Sequence, residues 1–262
     1  MKVSLIITTY NWPEALELVL DSVCEQSIIP NEVIVADDGS DFKTKQIIDN
    51  YKKRLNIIHI WHEDNGFRKS KILNAAILKC KNDYIVQVDG DVILHKKFIK
   101  DHIKNSKKGQ YLFGSRVSLS KELSSKVLIC RKIPSLFFKK IKRRGRLIRI
   151  PFLTRFYKPK DINSKKLRGC NLSYWKKDAF KINGYNEEFE GWGFEDFEFV
   201  QRLLNANVLS KRLKFGAIQY HIYHKQAQRG NTSKGNEVLI NTIKNKIISI
   251  PNGIIKDKIT SL

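Results

Sequence analysis

Hydrophobic and polar positions in the first third of the chain alternate between two rhythms. Continuous apolar, largely β-branched runs stand at residues 3–9, 32–37, 56–61 and 84–88. Runs of this kind read as strands buried on both faces of a sheet. Between the first two, residues 14–26 carry Ala15, Leu16, Val19, Leu20 and Val23 at helical spacing. Pro13 suits a first helical turn, with Asn11 or Trp12 near the cap, and Pro30 closes the stretch. Residues 42–55 and 69–80 predict two further helices. Strand and helix alternate from β to β, so the pattern predicts a mostly parallel sheet with crossover helices, an α/β fold.

Beyond Asp91 the regularity fades. A helix is expected over 98–107, a strand over 111–117, a short strand within 168–175 and a helix over 177–182. Another helix is expected from Asp196 to Asn205, with Phe199, Val200 and Leu203 on its core face. A last strand is expected over 217–223, and the tail from Glu237 reads as partly helical to about residue 248, before Pro251-Asn252-Gly253.

Composition adds one large fact. The 262 residues are 42% hydrophobic, enough for a core, and carry a formal charge of +23. Residues 121–168 hold 17 Lys and Arg against Glu122 and Asp161, so +15 of the charge lies in 48 residues. Leu128, Ile129, Ile133, Leu136, Phe137, Phe138, Ile141, Leu147, Ile148, Ile150, Phe152, Leu153 and Phe156 are interleaved with these cations. Cations alternating with bulky apolar residues read as a surface that meets an anionic membrane. The alternative is a basic helical hairpin packed on the domain. A nucleic-acid arm fits less well, because no known binding module stands there. Cys24, Cys80, Cys130 and Cys170 show neither metal-site spacing nor a disulfide scaffold, which suits a reducing cytosol. The N-terminus carries too short an apolar run for a signal peptide, and no window of about 18 apolar residues exists to span a bilayer.

Candidate chemistry sits at strand ends. Asp89-Gly90-Asp91 follows the fourth apolar run, where ligands of open α/β sheets bind. If extended, both carboxylates face one side, and their repulsion is relieved by a cation or a proton between them. A hard metal carrying phosphate resolves it; an ordinary polar turn is the competing reading. Asp37-Asp38-Gly39 repeats the arrangement at the second strand. Glu195 and Asp196 open a helix, where acids are also ordinary dipole partners. His221 and His224 stand three apart and could both ligate a metal.

Taken in order, these motifs resemble the inverting family-2 glycosyltransferases of GT-A fold. Ser4-Leu5-Ile6-Ile7-Thr8-Thr9-Tyr10-Asn11, Val33-Ile34-Val35-Ala36-Asp37-Asp38-Gly39-Ser40 and Val88-Asp89-Gly90-Asp91 form that family's opening series. Gly191-Trp192-Gly193-Phe194-Glu195-Asp196 resembles the loop of β-1,4-galactosyltransferases and chondroitin-polymerase type enzymes, and His221-Ile222-Tyr223-His224 their metal segment. The resemblance implies a GT-A, Rossmann-like single domain. It implies a nucleotide-sugar-binding half over 1–118, a basic insertion over 119–168, an acceptor and catalytic half over 169–236, and a tail over 237–262.

It also implies roles. Thr9, Tyr10, Asp37, Asp38, Gly66, Phe67, Arg68, Asn74, Asp89 and Gly90 would bind the donor, with Asp38 and Asp37 at the base. Asp91, His224 and His221 would bind Mn²⁺ (or Mg²⁺). Trp192 and Gly193 would meet the acceptor, Asp196 would be the base and Glu195 would orient the acceptor. Phe194 departs from the relatives, which often carry glycine there. The implied function is transfer from a nucleotide sugar, expected to be a UDP-sugar, to a saccharide or lipid-linked acceptor in bacterial surface polysaccharide or lipopolysaccharide synthesis. The expected location is the cytoplasm, peripheral on the inner face of the membrane, with no nucleic-acid partner. The rival reading is a nucleic-acid-binding protein or metal-dependent nuclease.

Overall fold

The computed structural model describes residues 1–131, 141, 144–189, 191, 193–225 and 232–256. The first apolar runs become β1 (Val3–Thr9), β2 (Glu32–Asp37), β3 (Ile57–Trp61) and β4 (Tyr84–Asp89). The helices between them are α1 (Pro13–Cys24), α2 (Phe42–Tyr51) and α3 (Lys69–Lys79). Pro13 opens α1 with Trp12 at the cap position, while Asp41 caps α2 by accepting from the Lys43 and Thr44 N–H groups. Strands β3, β2, β1 and β4 lie side by side and parallel.

The sheet continues differently. After β5 (Val92–Leu94) and α4 (Phe98–Asn105), β6 (Gln110–Phe113) returns to it. The strand expected over 111–117 is broken, because the chain leaves the large sheet at Gly114. A side chain at Gly114 would sit 2.4 Å from the Asn171 amide. The chain then forms β7 (Val117–Ser118) and α5 (Lys121–Cys130). Strand β8 (Leu172–Trp175) runs antiparallel between β4 and β6, and α6 (Lys176–Lys181), α7 (Glu195–Asn205), β9 (Leu209–Arg212), β10 (Gln219–His221) and α8 (Thr232–Lys244) follow. The large sheet therefore reads β3-β2-β1-β4-β8-β6-β9, parallel throughout except at β8. Strands β5, β10 and β7 form a second, small sheet. The short strands β5, only the three residues Val92-Ile93-Leu94, and β9, the mixed Leu209-Ser210-Lys211-Arg212, are not predicted from sequence.

Alternate strand residues feed two cores. Ile6, Ile34, Ala36 and Ile85 pack with Ile72, Leu73, Ala76 and Ile77 of α3 and Phe199, Val200 and Leu203 of α7. Leu5, Ile7, Val33, Val35 and Val86 face Leu16, Val19 and Leu20 of α1, Ile48 of α2 and Phe98 of α4. The fold is thus a helix–sheet–helix sandwich, with strand ends and helix starts converging on one edge. A third cluster joins Ala15 and Leu18 to Ile93, Tyr220 and Ile222 of the small sheet and to Leu123, Val127, Ile141 and Leu147 of the basic segment. Part of that segment's apolar content, Ile141 and Leu147 included, is therefore core. Ile133, Leu136, Phe137 and Phe138 lie outside the described residues. Helix α7 is anchored by Arg202, which is fully buried. It pairs with both Glu198 oxygens and donates to the Ile182 and Gly184 carbonyls. Among the described residues no helix is long and apolar enough to cross a membrane.

Candidate active site

A cavity of about 910 Å³ opens where β1, β2 and β4 end. Thr9, Tyr10, Asp38, Phe67, Asp89, Gly90, Asp91, Gly193, Glu195, Asp196, His221 and His224 all line it. The structure thus gathers residues more than two hundred positions apart. Asp89 ends β4, and Gly90 turns tightly beneath β1, its N–H donating to the Thr8 carbonyl at 2.6 Å. A side chain at Gly90 would lie 2.9 Å from that same oxygen, so the close approach requires glycine.

The two acids of that turn have separate partners. Asp89 accepts from the Thr8 hydroxyl at 2.9 Å and lies 3.1 Å from Lys69 Nζ. Asp91 has left the strand and meets two imidazoles: His221 Nε2 at 3.1 Å and His224 Nε2 at 3.0 Å, both on Oδ2. The expectation of one cation shared between facing carboxylates is corrected here, because Asp89 is taken by a lysine. Sheet pairing builds the His–Asp corner. Strand β10 runs antiparallel to β5, with His221 opposite Val92, and the Ile222 N–H donates to the Asp91 carbonyl.

Ligand atoms of Asp91, His221 and His224 all lie within 4.8 Å of one another. Asp91 Oδ1 is buried and has no hydrogen-bond partner among the described residues, which leaves one oxygen for a cation. One carboxylate and two imidazoles suit Mn²⁺ better than Mg²⁺, which prefers oxygen alone. Burial works against charge on Asp91. The hydrogen bonds from His221 and His224 outweigh it and hold the carboxyl well below its usual range. The bond to Asp91 correspondingly raises His224.

The opposite side of the cavity has the reverse balance. Lys69 Nζ lies 3.1 Å from Asp89, 3.8 Å from Asp196 Oδ2 and 4.0 Å from Glu195 Oε1. Burial opposes its charge, but Asp196, Asp89 and Glu195 together hold it protonated. Burial raises Asp196, Lys69 pulls it down and Asp89 pushes it up again, leaving it above the ordinary range. Burial and the neighbouring Asp196 charge push Glu195 up to about 7. The Gly193 N–H donates to Glu195 at 3.0 Å, and Tyr185 donates its hydroxyl to Asp196 at 3.3 Å. Asp196 sits against Gly169, where a side chain would stand 1.9 Å from its carboxylate. Phe194 precedes the pair in the left-handed region, φ 67°, a conformation that glycine adopts freely and that costs a bulky residue roughly 1–3 kcal/mol. Its ring faces Gly235 of α8, where an added side chain would meet it at 3.3 Å.

Several expected donor residues stand elsewhere. Asp37 is fully buried and does not line the cavity; it accepts from the Ser40 N–H and pairs with His59, shaping the turn that carries Asp38. Asp38 does line it, with its oxygens held by His62 and by the Arg68 N–H. Burial, partly offset by His62, raises its pKa. Arg68 thus acts through its backbone, and its guanidinium donates to the Glu63 carbonyl. Gly66 is a turn residue, φ 74°, outside the cavity wall. Asn74 is buried away from the cavity, bridging the Tyr185 backbone and Glu187. Tyr10 donates to Asp64 at the rim. Trp192 lies outside the described residues.

Sequence reasoning missed Lys69, Gly169, Arg116, Arg168 and Lys225, which also line the cavity. Lys69 did leave a signal. A lysine opens α3 with no acid in the first turn, against the helix dipole, so its charge had to be met from outside the helix.

A strand-end acid corner, a His pair delivered by the last strand and a helix-borne acid pair in one cavity are the family's motifs assembled. The description "Glycosyl transferase family 2" matches residues 4–160, well over half of the chain. The chain belongs to glycosyl transferase family 2. Residues 152–225 also match "N-terminal domain of galactosyltransferase". A chondroitin synthase from Escherichia coli is 27% identical over 83% of this family 2 chain, which spans 34% of that relative's length. The S. aureus TarS structure in complex with UDP-GlcNAc superposes with a TM-score of 0.66 at 20% identity, covering 98% of this chain and 68% of that one. A mannosyltransferase from Pyrobaculum calidifontis, in complex with GDP-Man and Mn²⁺, gives 0.59 at 16% identity, covering 86% of this chain and 58% of that one. At these identities the structures share the GT-A fold.

Proposed function

We propose that this family 2 domain is a metal-dependent, inverting glycosyltransferase. It moves a sugar from a UDP-sugar to a saccharide or lipid-linked acceptor, in bacterial surface polysaccharide or lipopolysaccharide synthesis. The observation that carries the reading is the division of one cavity between a His–Asp corner suited to a cation and a buried acid pair suited to taking a proton. The relatives support the substrate class: one is named a chondroitin synthase, and one neighbour holds UDP-GlcNAc.

Asp91, His221 and His224 would hold Mn²⁺, with Mg²⁺ the lesser choice. Bound there, the cation supplies positive charge against the diphosphate leaving group, a Lewis-acid contribution. Asp38 would contact the nucleoside base and Asp89 the ribose or the metal, and both line the cavity. The acceptor hydroxyl is a weak nucleophile and needs a carboxylate within hydrogen-bond reach. Asp196 takes its proton as the oxygen attacks the anomeric carbon from the face opposite the leaving group. One base and one displacement give inversion, so an α-linked donor yields a β-linked product. Glu195 orients the acceptor. Lys69 keeps Asp196 in the proton-accepting form and ties it to Asp89, holding the two halves of the site in register.

The test is UDP release from a panel of UDP-sugars with Mn²⁺, with and without saccharide acceptors. Release that EDTA stops and Mn²⁺ restores supports the reading. No release with any donor, together with no nucleotide binding by calorimetry, overturns it.

A further inference from the structure

The basic segment contains a surface that lies outside the cavity. The 3-10 turn Pro151–Phe156 leaves Phe152 53% and Phe156 62% exposed, and Ile148 and Ile150 beside it are 46% and 40% exposed. Scattered exposed apolar residues are ordinary; a contiguous group is not. These rings form a cluster. Phe152 and Phe156 meet edge to face at 5.7 Å, and the Arg155 guanidinium lies 4.4 and 5.1 Å above them. Alongside, Tyr157 meets Phe215 at 6.2 Å, with Lys214 Nζ 4.8 Å above the Phe215 ring and 5.5 Å above that of Tyr157.

The exposure is built in, because the turn beneath is firmly held. The Ile150 N–H donates to the Phe215 carbonyl at 3.0 Å. Thr154, buried, donates to the Lys214 carbonyl at 3.1 Å. Arg149 is spent on Asp101 in a two-pronged ion pair at 2.9 and 2.5 Å, and Arg146 donates to the Arg116 carbonyl. Among the described residues, the exposed cations beside these rings include Arg155, Lys158 and Lys214. No acid occurs in the sequence between Glu122 and Asp161.

We propose that the face formed by Phe152, Arg155, Phe156, Lys158 and Lys214 docks on an anionic lipid bilayer. Aromatic rings with cations lying over them match the headgroup boundary, where the ring enters the acyl edge and the cation stays with lipid phosphate. Charge alone would suit a soluble polyanion equally. The exposed rings favour a partner with an apolar interior. The inference stands apart from the transfer reading, since it concerns a face outside the cavity.

The experiment is co-sedimentation of the full chain with phosphatidylcholine vesicles, with and without phosphatidylglycerol, beside a Phe152→Ser/Phe156→Ser variant. An Ile28→Ser/Ile29→Ser variant, altering exposed apolar residues elsewhere, is the control. Far-UV circular dichroism and a cooperative thermal melt report that each protein is folded. The parent and the control pellet with the anionic vesicles only, and the Phe variant partitions at least about tenfold more weakly. A Phe156→Trp variant gains a blue-shifted emission on vesicle addition beyond that of the parent. Absence of anionic-vesicle binding, equal binding by the Phe variant, no emission shift, or full competition by soluble polyphosphate overturns the proposal.

Discussion

The two corners of the cavity have opposite ratios of acidic to basic side chains. At one, a single carboxylate, Asp91, meets two imidazoles, and its acidity is strengthened. At the other, Asp89, Glu195 and Asp196 crowd round one lysine, and Glu195 and Asp196 are both raised. Both set carboxylates against basic side chains, one acid to two imidazoles in the first and three acids to one lysine in the second, and that ratio decides what each can do. An acid held ionised with a spare oxygen suits a cation. An acid lifted by burial and by its neighbours, with one lysine keeping it available, suits a proton.

The comparison breaks most sharply at Asp196. Asp196→Asn should cut transfer by about a thousandfold, the scale of a lost general base, while leaving UDP-sugar binding near normal. Turnover close to the parent's would put the base elsewhere. Next comes the cation corner: Asp91→Asn should weaken Mn²⁺-dependent UDP binding by about a hundredfold, read by calorimetry with and without EDTA. Of similar size is Gly169→Ala, whose added methyl displaces the Asp196 carboxylate; about a hundredfold loss of transfer with intact UDP binding is expected.

The smallest effect sharpens the account instead. Lys69 favours the ionised form of Asp196, so Lys69→Met should raise that pKa. The acidic limb of the pH–rate profile then moves to higher pH. An unmoved limb would mean that Lys69 acts only on the donor.

The difference in legibility between regions has physical causes. Strands β1, β2 and β4 are buried on both faces, β3 is a half-buried edge strand, and whole helices join them, so their apolar runs alone find them to within a residue or two at most ends. Their terminal acids were visible for the same reason. Of the small sheet, β10 was expected within the strand over 217–223, but β5 and the pairing between them were not. Strand β5 has three residues and β10 three; they pair with each other across more than a hundred positions, and β7 pairs with β10 on its other side. That pairing is what brings His221 to Asp91, and the residue types alone suggested only two histidines able to share a metal. The antiparallel β8, slotted between β4 and β6, carries the Gly169 turn under Asp196 for a similarly non-local reason.

Asp37 and Asn74 teach the converse. Both sit in strong motif positions, yet each is spent on backbone and on a neighbouring side chain, so the motif marks the turn or contact they build. In the basic segment, spacing could not separate Ile141 and Leu147, which are core, from Phe152 and Phe156, which face outward. Nor could it show that Arg149 is already paired with Asp101.

The central claim, one cavity divided between a cation-held donor and a proton-accepting pair, is tested most directly by one matched measurement. UDP-sugar binding in the presence of Mn²⁺ and turnover are determined side by side for Asp196→Asn and Asp91→Asn. The account predicts a double separation: the first variant binds the donor and does not turn it over, while the second loses Mn²⁺-dependent binding itself. Equal loss of binding in both, or sustained turnover by Asp196→Asn, contradicts it.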